Sequence, residues 1–222
     1  MGAYSFTNSH GMREIRKGAT LAGALIATAL FMSPPAAAAD KDYAITVYGG
    51  YRGGGSFTDA STGQGLKLES NGAVSLALDL PCDAARQYQI FVSQQRTNLL
   101  LDIPASAGSG TRLAMDIYYL HFGGTFFWDG QVGQGAYVVG GLGATLFNPD
   151  QDYKSELYPS INVGFGYQWL LGNTFAVRAE ARGYATLVNS SGGVFCSGGC
   201  VVSIKGDSIG QGELMLGVSA RF

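Results

Sequence analysis

Apolar and polar residues alternate over long stretches of the chain, most clearly at its C-terminal end. From Glu213 to Phe222 the even positions are apolar, beginning with Leu214, and most of the odd positions are polar or small. A period of two places these sets on opposite faces of a β-strand. The same alternation predicts seven further strands, at residues 42–52, 73–80, 86–101, 114–128, 135–147, 158–171 and 175–187.

The positions of the aromatic residues favour a membrane barrel over a soluble sandwich, which alternation alone does not distinguish. On an up-and-down path with both ends in the periplasm, aromatics open the upward strands and close the downward ones. Amphipathic rings are stable at the lipid headgroup level. The pattern therefore predicts a periplasmic aromatic girdle made of Tyr43, Tyr88, Trp128, Tyr137, Trp169, Phe175 and Phe222.

The lengths of the connections agree with this orientation. The connections at 81–85, 129–134 and 172–173 are short, whereas those at 53–72, 102–113, 148–157 and 188–212 are longer and rich in small polar residues. Short periplasmic turns and long extracellular loops are typical of outer-membrane barrels. The predicted fold is all-β, an eight-stranded antiparallel up-and-down transmembrane β-barrel. The facing of strand 135–147 stays open, because small residues lie on both of its faces.

The N-terminal segment carries the features of a secretory signal peptide. Arg13, Arg16 and Lys17 precede an apolar run that ends near two prolines, and Ala37 and Ala39 form a small-residue cleavage site. The run is shorter than the ~20 residues of a membrane-spanning helix. We predict a signal peptide at residues 1–39, with an extended start at 1–11 if translation begins at Met1 and not at Met12. The mature domain then covers 40–222.

The composition fits this picture and excludes other classes. Charged residues make up 14% of the chain, glycines number 34 of 222, and the formal net charge is −2. Soluble domains carry roughly 25% charged residues. The absence of a basic stripe argues against nucleic-acid binding, and the even spread of apolar residues argues against disorder.

Several charged residues are predicted to point into the barrel lumen. They are Arg178, Glu180, Arg182, Glu213 and Arg221, and they are joined by His121, the one histidine after residue 40. Side chains fill the interior of a barrel of this size, and buried charges must be paired. We expect an internal ion-pair network; a role in transport or gating is the alternative.

His121 also raises the question of catalysis. A barrel hydrolase needs a nucleophile or activated water within reach of its base and an orienting carboxylate. Ser219 and Glu213 lie on a lumenal face, but no motif links them to His121. We therefore predict no enzyme activity, no cofactor and no metal site.

The three cysteines are divided between the two ends of the predicted barrel. Cys196 and Cys200 flank a short Ser-Gly-Gly segment in the last long loop, and an exported compartment permits disulfides. A structural metal site needs four ligands in most cases, and only two thiols are present there. We predict a disulfide between Cys196 and Cys200, which leaves Cys82 as a free thiol in a periplasmic turn.

The chain resembles the eight-stranded outer-membrane barrels related to outer membrane protein W and to the transmembrane domain of outer membrane protein A. The residues that carry this resemblance are the Ala-x-Ala cleavage site, the strand from Tyr118 to Gly124, the glycine-rich strand from Tyr137 and the terminal Phe222. The resemblance implies that Phe222 is an assembly signal for the barrel-assembly machinery. It also implies outer-membrane lipid and lipopolysaccharide as partners.

From these features we expect a bacterial outer-membrane protein with a structural or surface-interaction role, a filled polar lumen and four extracellular loops. We expect it to be monomeric. One alternative function is a narrow channel for small or hydrophobic molecules, and another is a membrane-embedded lipid-modifying enzyme.

Overall fold

The computed structural model describes residues 43–59, 65–101, 112–129, 131–150, 154–188, 193–196, 200–205 and 208–222. The predicted signal peptide at 1–39 lies outside the described residues. In the described ranges, no helix has the length and apolar character needed to cross a membrane.

The described residues form twelve strands, eight of them long. In chain order they are β1 (Ala44–Gly54), β2 (Ser56–Asp59), β3 (Gly65–Leu68), β4 (Asn71–Pro81), β5 (Arg86–Leu101), β6 (Arg112–Phe127), β7 (Gly135–Pro149), β8 (Glu156–Leu171), β9 (Phe175–Leu187), β10 (Gly193–Cys196), β11 (Cys200–Lys205) and β12 (Ser208–Arg221). Each long strand pairs antiparallel with the next long strand, and β1 also pairs with β12, where Thr46 opposes Ser219. The eight long strands therefore close into a barrel, and the predicted fold class is confirmed.

The two faces of the barrel wall have the polarity of a membrane protein. Phe122, Phe165 and Leu214 point outward and are 59%, 66% and 69% exposed, whereas Arg178 and Glu213 are buried inside. A soluble barrel would have the opposite arrangement. Apolar side chains on the exterior match a hydrocarbon surround, and closure pairs the backbone groups that a lipid phase cannot satisfy.

Six of the seven residues of the predicted aromatic girdle lie on the exterior of the barrel, and the prediction is wrong for the seventh, Tyr137. Tyr43, Tyr88, Trp128, Trp169, Phe175 and Phe222 are all exposed on the exterior, and the rings of Tyr43 and Phe222 stack with centroids 6.2 Å apart.

Tyr137 lies inside the barrel and is 1% exposed. The odd residues of β7 face inward, so Tyr137 shares the interior with Val139. Its ring packs over Gly166, the residue directly opposite on β8; a Cβ atom at Gly166 would lie 2.6 Å from the ring. The missing side chain of Gly166 thus makes the room for the tyrosine. This register settles the facing of strand 135–147, which the sequence left open.

The polarity of the two faces reverses at the extracellular ends of β5 and β6. Leu113, Met115 and Ile117 of β6 point inward and are buried, whereas Asp116 of β6 and Arg96 of β5 point outward. An apolar interior with a polar exterior is the arrangement of a protein in water. The upper end of the barrel therefore stands above the hydrocarbon layer.

Four short strands extend the sheet at this upper end. β3 pairs with the last residues of β5, where Leu66 opposes Leu101. β2 pairs with β3 on one side and with β11 on the other, and β10 completes the series. The first and last extracellular connections thus contribute strands to one continuous sheet.

The cysteines lie at the two ends of the barrel, as predicted. In the β10–β11 hairpin Cys196 is directly opposite Cys200, but the side chains of both lie outside the described residues, so the disulfide stays a prediction. Cys82 is an exposed free thiol in a periplasmic turn. In that turn Arg86 donates a hydrogen bond of 2.6 Å to Asp83, which lowers the pKa of this carboxyl group.

Candidate functional site

The middle of the barrel interior contains a charge-balanced network. In the described part of the chain, the fully buried charged residues are three arginines and three carboxylates, namely Arg52, Arg178, Arg182, Asp79, Glu180 and Glu213. Buried charges are costly unless each has an oppositely charged or hydrogen-bonding partner. The three cations face three anions, and the interior charges sum to zero.

The cluster nearer the periplasm is centred on Arg178 of β9. Its guanidinium donates to Asp79 Oδ2 at 2.7 Å and to Gln168 Oε1 at 2.5 Å, and it lies over the ring of Tyr137. Tyr48 and Tyr137 both donate to Glu180 Oε2, at 3.3 and 2.8 Å. Strands β1, β4, β7, β8 and β9 are therefore linked across the lumen.

Arg182 connects this cluster to the opposite wall. Its Nε donates to Glu180 Oε1 at 2.6 Å, its Nη2 donates to Gln89 Oε1 at 2.9 Å, and its guanidinium carbon lies 3.7 Å from the ring centroid of Phe91. Gln89 in turn donates to Asp79 Oδ1 at 2.7 Å. The arginine charge is thus held against an anion, an amide and an aromatic face.

A second cluster lies nearer the extracellular side and is centred on Arg52 of β1. Arg52 Nη2 donates to Glu213 Oε2 at 2.7 Å and also to the hydroxyl of Ser93. Its guanidinium lies 4.8 and 4.7 Å from the ring centroids of Tyr119 and Tyr184, which are stacked on each other. Tyr184 donates to the same Glu213 oxygen at 2.6 Å.

The structure brings together four of the predicted lumenal charges, namely Arg178, Glu180, Arg182 and Glu213. Arg221 does not join them. Its guanidinium lies over Gly133 in the periplasmic turn, because β12 ends there and the long side chain reaches past the lumen.

The sequence reasoning missed Arg52 and Asp79, which are fully buried. The alternation of polar and apolar residues could have identified them. Arg52 and Asp79 lie on the inward face of their strands, whereas their chain neighbours Tyr51 and Leu78 lie on the outward face.

His121 faces the lumen as predicted and is 1% exposed. Its Nε2 lies 2.9 Å from Ser160 Oγ, and its ring stacks on Tyr119. Within the described residues its Nδ1 has no hydrogen-bond partner, so no carboxylate orients the imidazole. A base that activates a serine usually has such an orienting group and an open approach for substrate. This buried pair has neither.

Apolar side chains close the interior above and below the network. At the periplasmic end Val132 packs against Phe127, Tyr137 and Val139, and its backbone N–H donates to Ala84 O at 2.9 Å. At the extracellular end a larger apolar layer is formed by Leu68, Leu99, Leu113, Met115, Ile117, Phe147, Val188 and Ile209. The buried interior side chains of the described residues therefore form three layers.

No cluster of three or more His, Cys, Asp or Glu side chains that could hold a metal ion occurs among the described residues. The charged groups of the lumen bind one another and neighbouring polar side chains, while Arg52 Nη1, Arg182 Nη1 and Glu213 Oε1 have no hydrogen-bond partner among the described residues. The fold and the apolar exterior define a small transmembrane β-barrel of the outer-membrane type.

Comparison with known proteins supports this class at the level of fold. The structure is similar to that of Neisserial surface protein A, with a TM-score of 0.54, 10% sequence identity, and coverage of 82% of this chain and 97% of that chain. Outer membrane protein AlkL in lipid bilayers has a TM-score of 0.49 at 15% identity, covering 86% of this chain and 95% of that one. OprG from Pseudomonas aeruginosa has a TM-score of 0.47 at 11% identity, covering 82% and 97%.

No protein-family model matches the chain, and no curated protein matches its sequence. The structural likeness confirms the predicted eight-stranded outer-membrane barrel. It agrees with the predicted location in the bacterial outer membrane, which the apolar exterior supports independently.

Proposed function

We propose that the protein is a closed outer-membrane barrel that anchors a surface platform and does not conduct. The observation that carries this proposal is the burial of the described interior side chains. Three cations and three anions, with a net charge of zero, lie there between two apolar layers. A passage through the network would have to break buried ion pairs, and loss of one partner costs about 3–5 kcal/mol. Water-filled channels are a property of wider barrels.

The upper end of the barrel supports the platform part of the proposal. There Arg96 and Asp116 lie on the exterior of β5 and β6, the interior is apolar, and the sheet continues into the short strands β2, β3, β10 and β11. A surface that is held by a continuous sheet stays in a fixed position for contact with outside molecules. The proposal includes no catalytic step, because the buried His121–Ser160 pair is without an orienting carboxylate in the described structure.

Planar-bilayer recordings test whether the barrel is closed. The full mature protein should give no reproducible conductance steps, and Arg96→Ala, an outward-facing control, should behave in the same way. Arg178→Ala removes the centre of the network, so an ionic current through the lumen is more readily expected in this variant than in the unmodified protein. Steps in the unmodified protein that change in Arg178→Ala but not in Arg96→Ala would show a lumenal pathway and overturn the proposal.

A narrow passage for hydrophobic molecules is the second candidate, and the apolar extracellular layer around Met115 and Ile117 favours it. Such molecules could enter this layer but would then meet the charged network. Transfer of a fluorescent long-chain alcohol into vesicles that enclose an albumin acceptor distinguishes the two candidates. If the barrel is closed, we expect the alcohol to enter these vesicles at the same rate as it enters vesicles without protein. Faster transfer would support the passage.

We further propose that the protein contacts lipopolysaccharide as a monomer and that Phe222 serves as a signal for the assembly machinery. Phe222 is exposed at the end of β12, and its backbone N–H donates to Tyr43 O at 3.0 Å. The terminal ring is thus accessible at the strand that closes the barrel.

A further inference from the structure

The lipid-facing exterior has a groove of about 700 Å³ over strand β9. Its floor is formed by the outward-facing residues Ala179 and Ala181. The larger neighbours lie in register on both sides: Phe165, Ala181 and Leu214 form one row, and Tyr167, Ala179 and Leu216 form the next. Each alanine is therefore the low point between an aromatic ring on β8 and a leucine on β12.

On the extracellular side of the groove, the outward-facing residues of β9 and β12 are even smaller. Gly183 on β9 lies opposite Gly212 on β12, and a Cβ atom added at Gly212 would meet nothing within 4 Å. In the other direction the groove ends at the row that contains Trp169 of the girdle and Val177. It thus lies inside the apolar belt, on the extracellular side of the Trp169 row, and its Leu214 row continues to the exposed Tyr51 of β1.

This position limits what can fill the groove, because the surrounding medium at this depth is lipid hydrocarbon. A second copy of the chain is a poor match. A two-fold contact must be self-complementary, and two concave faces that meet would leave a void. A flexible chain can follow the floor and contact both ridges.

We propose that the β9 groove binds an acyl chain of a membrane lipid and retains it longer than the rest of the exterior does. The attraction comes from close van der Waals contact and not from exclusion of water, since both the lipid and the belt are apolar. The groove selects a lipid by its acyl chain and not by its headgroup, because the groove lining is almost entirely apolar. This inference does not depend on whether the lumen conducts.

Photo-crosslinking of the full mature protein tests the inference. The protein is reconstituted into phosphatidylcholine vesicles that contain a trace of the same lipid with a diazirine in its acyl chain. Ala181→Phe fills the floor of the groove. Ala144→Phe is the matched control, because Ala144 faces outward on β7 between Leu120 and Pro159, away from the groove. Heat-modifiable migration on a gel verifies that each variant is folded.

Cross-links in the unmodified protein should concentrate on peptides of β8, β9 and β12 relative to those of β5 and β6. Ala181→Phe should reduce the cross-links on β8, β9 and β12 about tenfold, which corresponds to ~1.4 kcal/mol of binding, and Ala144→Phe should leave them unchanged. Even labelling around the belt, or no loss in Ala181→Phe, would overturn the inference. So would chemical cross-links between two copies through β9, since they would identify a second chain as the occupant.

Discussion

Replacement of Arg178 by leucine tests whether the lumenal network holds the barrel together. Arg178 and Asp79 are joined at 2.7 Å with side-chain exposures of 1% and 0%. Arg178→Leu leaves the Asp79 carboxylate buried without its cation, while the amide of Gln89 still donates to it. Removal of one partner of a buried ion pair costs about 3–5 kcal/mol, so we expect the free energy of unfolding to fall by this amount.

The double variant provides the sharper measurement. Asp79→Leu combined with Arg178→Leu removes both charges, and replacement of a whole buried pair by apolar residues is often close to neutral. We therefore expect the double variant to be more stable than either single variant. This requires a coupling energy larger than the cost of a single substitution, which is about 3–5 kcal/mol. Urea unfolding in phospholipid vesicles measures these values through the fluorescence of Trp128 and Trp169, the two tryptophans of the chain.

Arg96→Leu is the control for charge removal at the surface. Arg96 is 63% exposed and pairs with Asp150 at 2.6 Å, and exposed pairs contribute about 0–1 kcal/mol. If Arg178→Leu costs no more than Arg96→Leu, the buried network does not contribute to stability and the reasoning fails. If Arg178→Leu does not insert, the same reasoning requires that the double variant recovers insertion.

Three further predictions concern packing, orientation and assembly. Gly166→Ala places a methyl group against the ring of Tyr137 and should lower the free energy of unfolding by about 1–3 kcal/mol, whereas Gly212→Ala, which faces open space, should change it by less than about 0.5 kcal/mol; equal effects would contradict the packing. Cys82 should react with a membrane-impermeant maleimide only after the outer membrane is permeabilised, and labelling in intact cells would place the turn on the wrong side. Deletion of Phe222 should reduce the amount of inserted barrel several-fold in pulse-chase experiments while leaving the unfolding of the inserted fraction nearly unchanged; normal insertion would remove its proposed role.

Much of the fold could be predicted because a membrane imposes the same period of two on every strand. The alternation around Arg178 and Glu180 on β9, and around Leu214 on β12, fixed both the strands and their facing. Tyr137 was misplaced because an aromatic at the start of a strand is typical of a girdle, and only the pairing with Gly166 on β8 shows that there is space inside.

The sequence could not predict which charged residues of the network pair with each other, for a different reason. Arg178 contacts Asp79, which is 99 positions away in the chain, and the two meet only after the barrel closes and opposite walls face each other. The extracellular apolar layer was also missed. Around Ile117 residues still alternate between the two faces, but here the apolar residues face inward. An interpretation that placed apolar residues outward along the whole strand could not locate the upper limit of the membrane.

That reversal gives the barrel a fixed height in the bilayer. A shift of two residues along a strand moves the wall by about 6.6 Å. Sinking by this distance would bring the exposed Arg96 and its partner Asp116 into hydrocarbon, and rising would lift the girdle around Trp169 out of the headgroup layer. Both displacements are costly, so the bilayer has to adapt its local thickness to the protein. The surface platform should consequently project the same distance from any membrane that contains it.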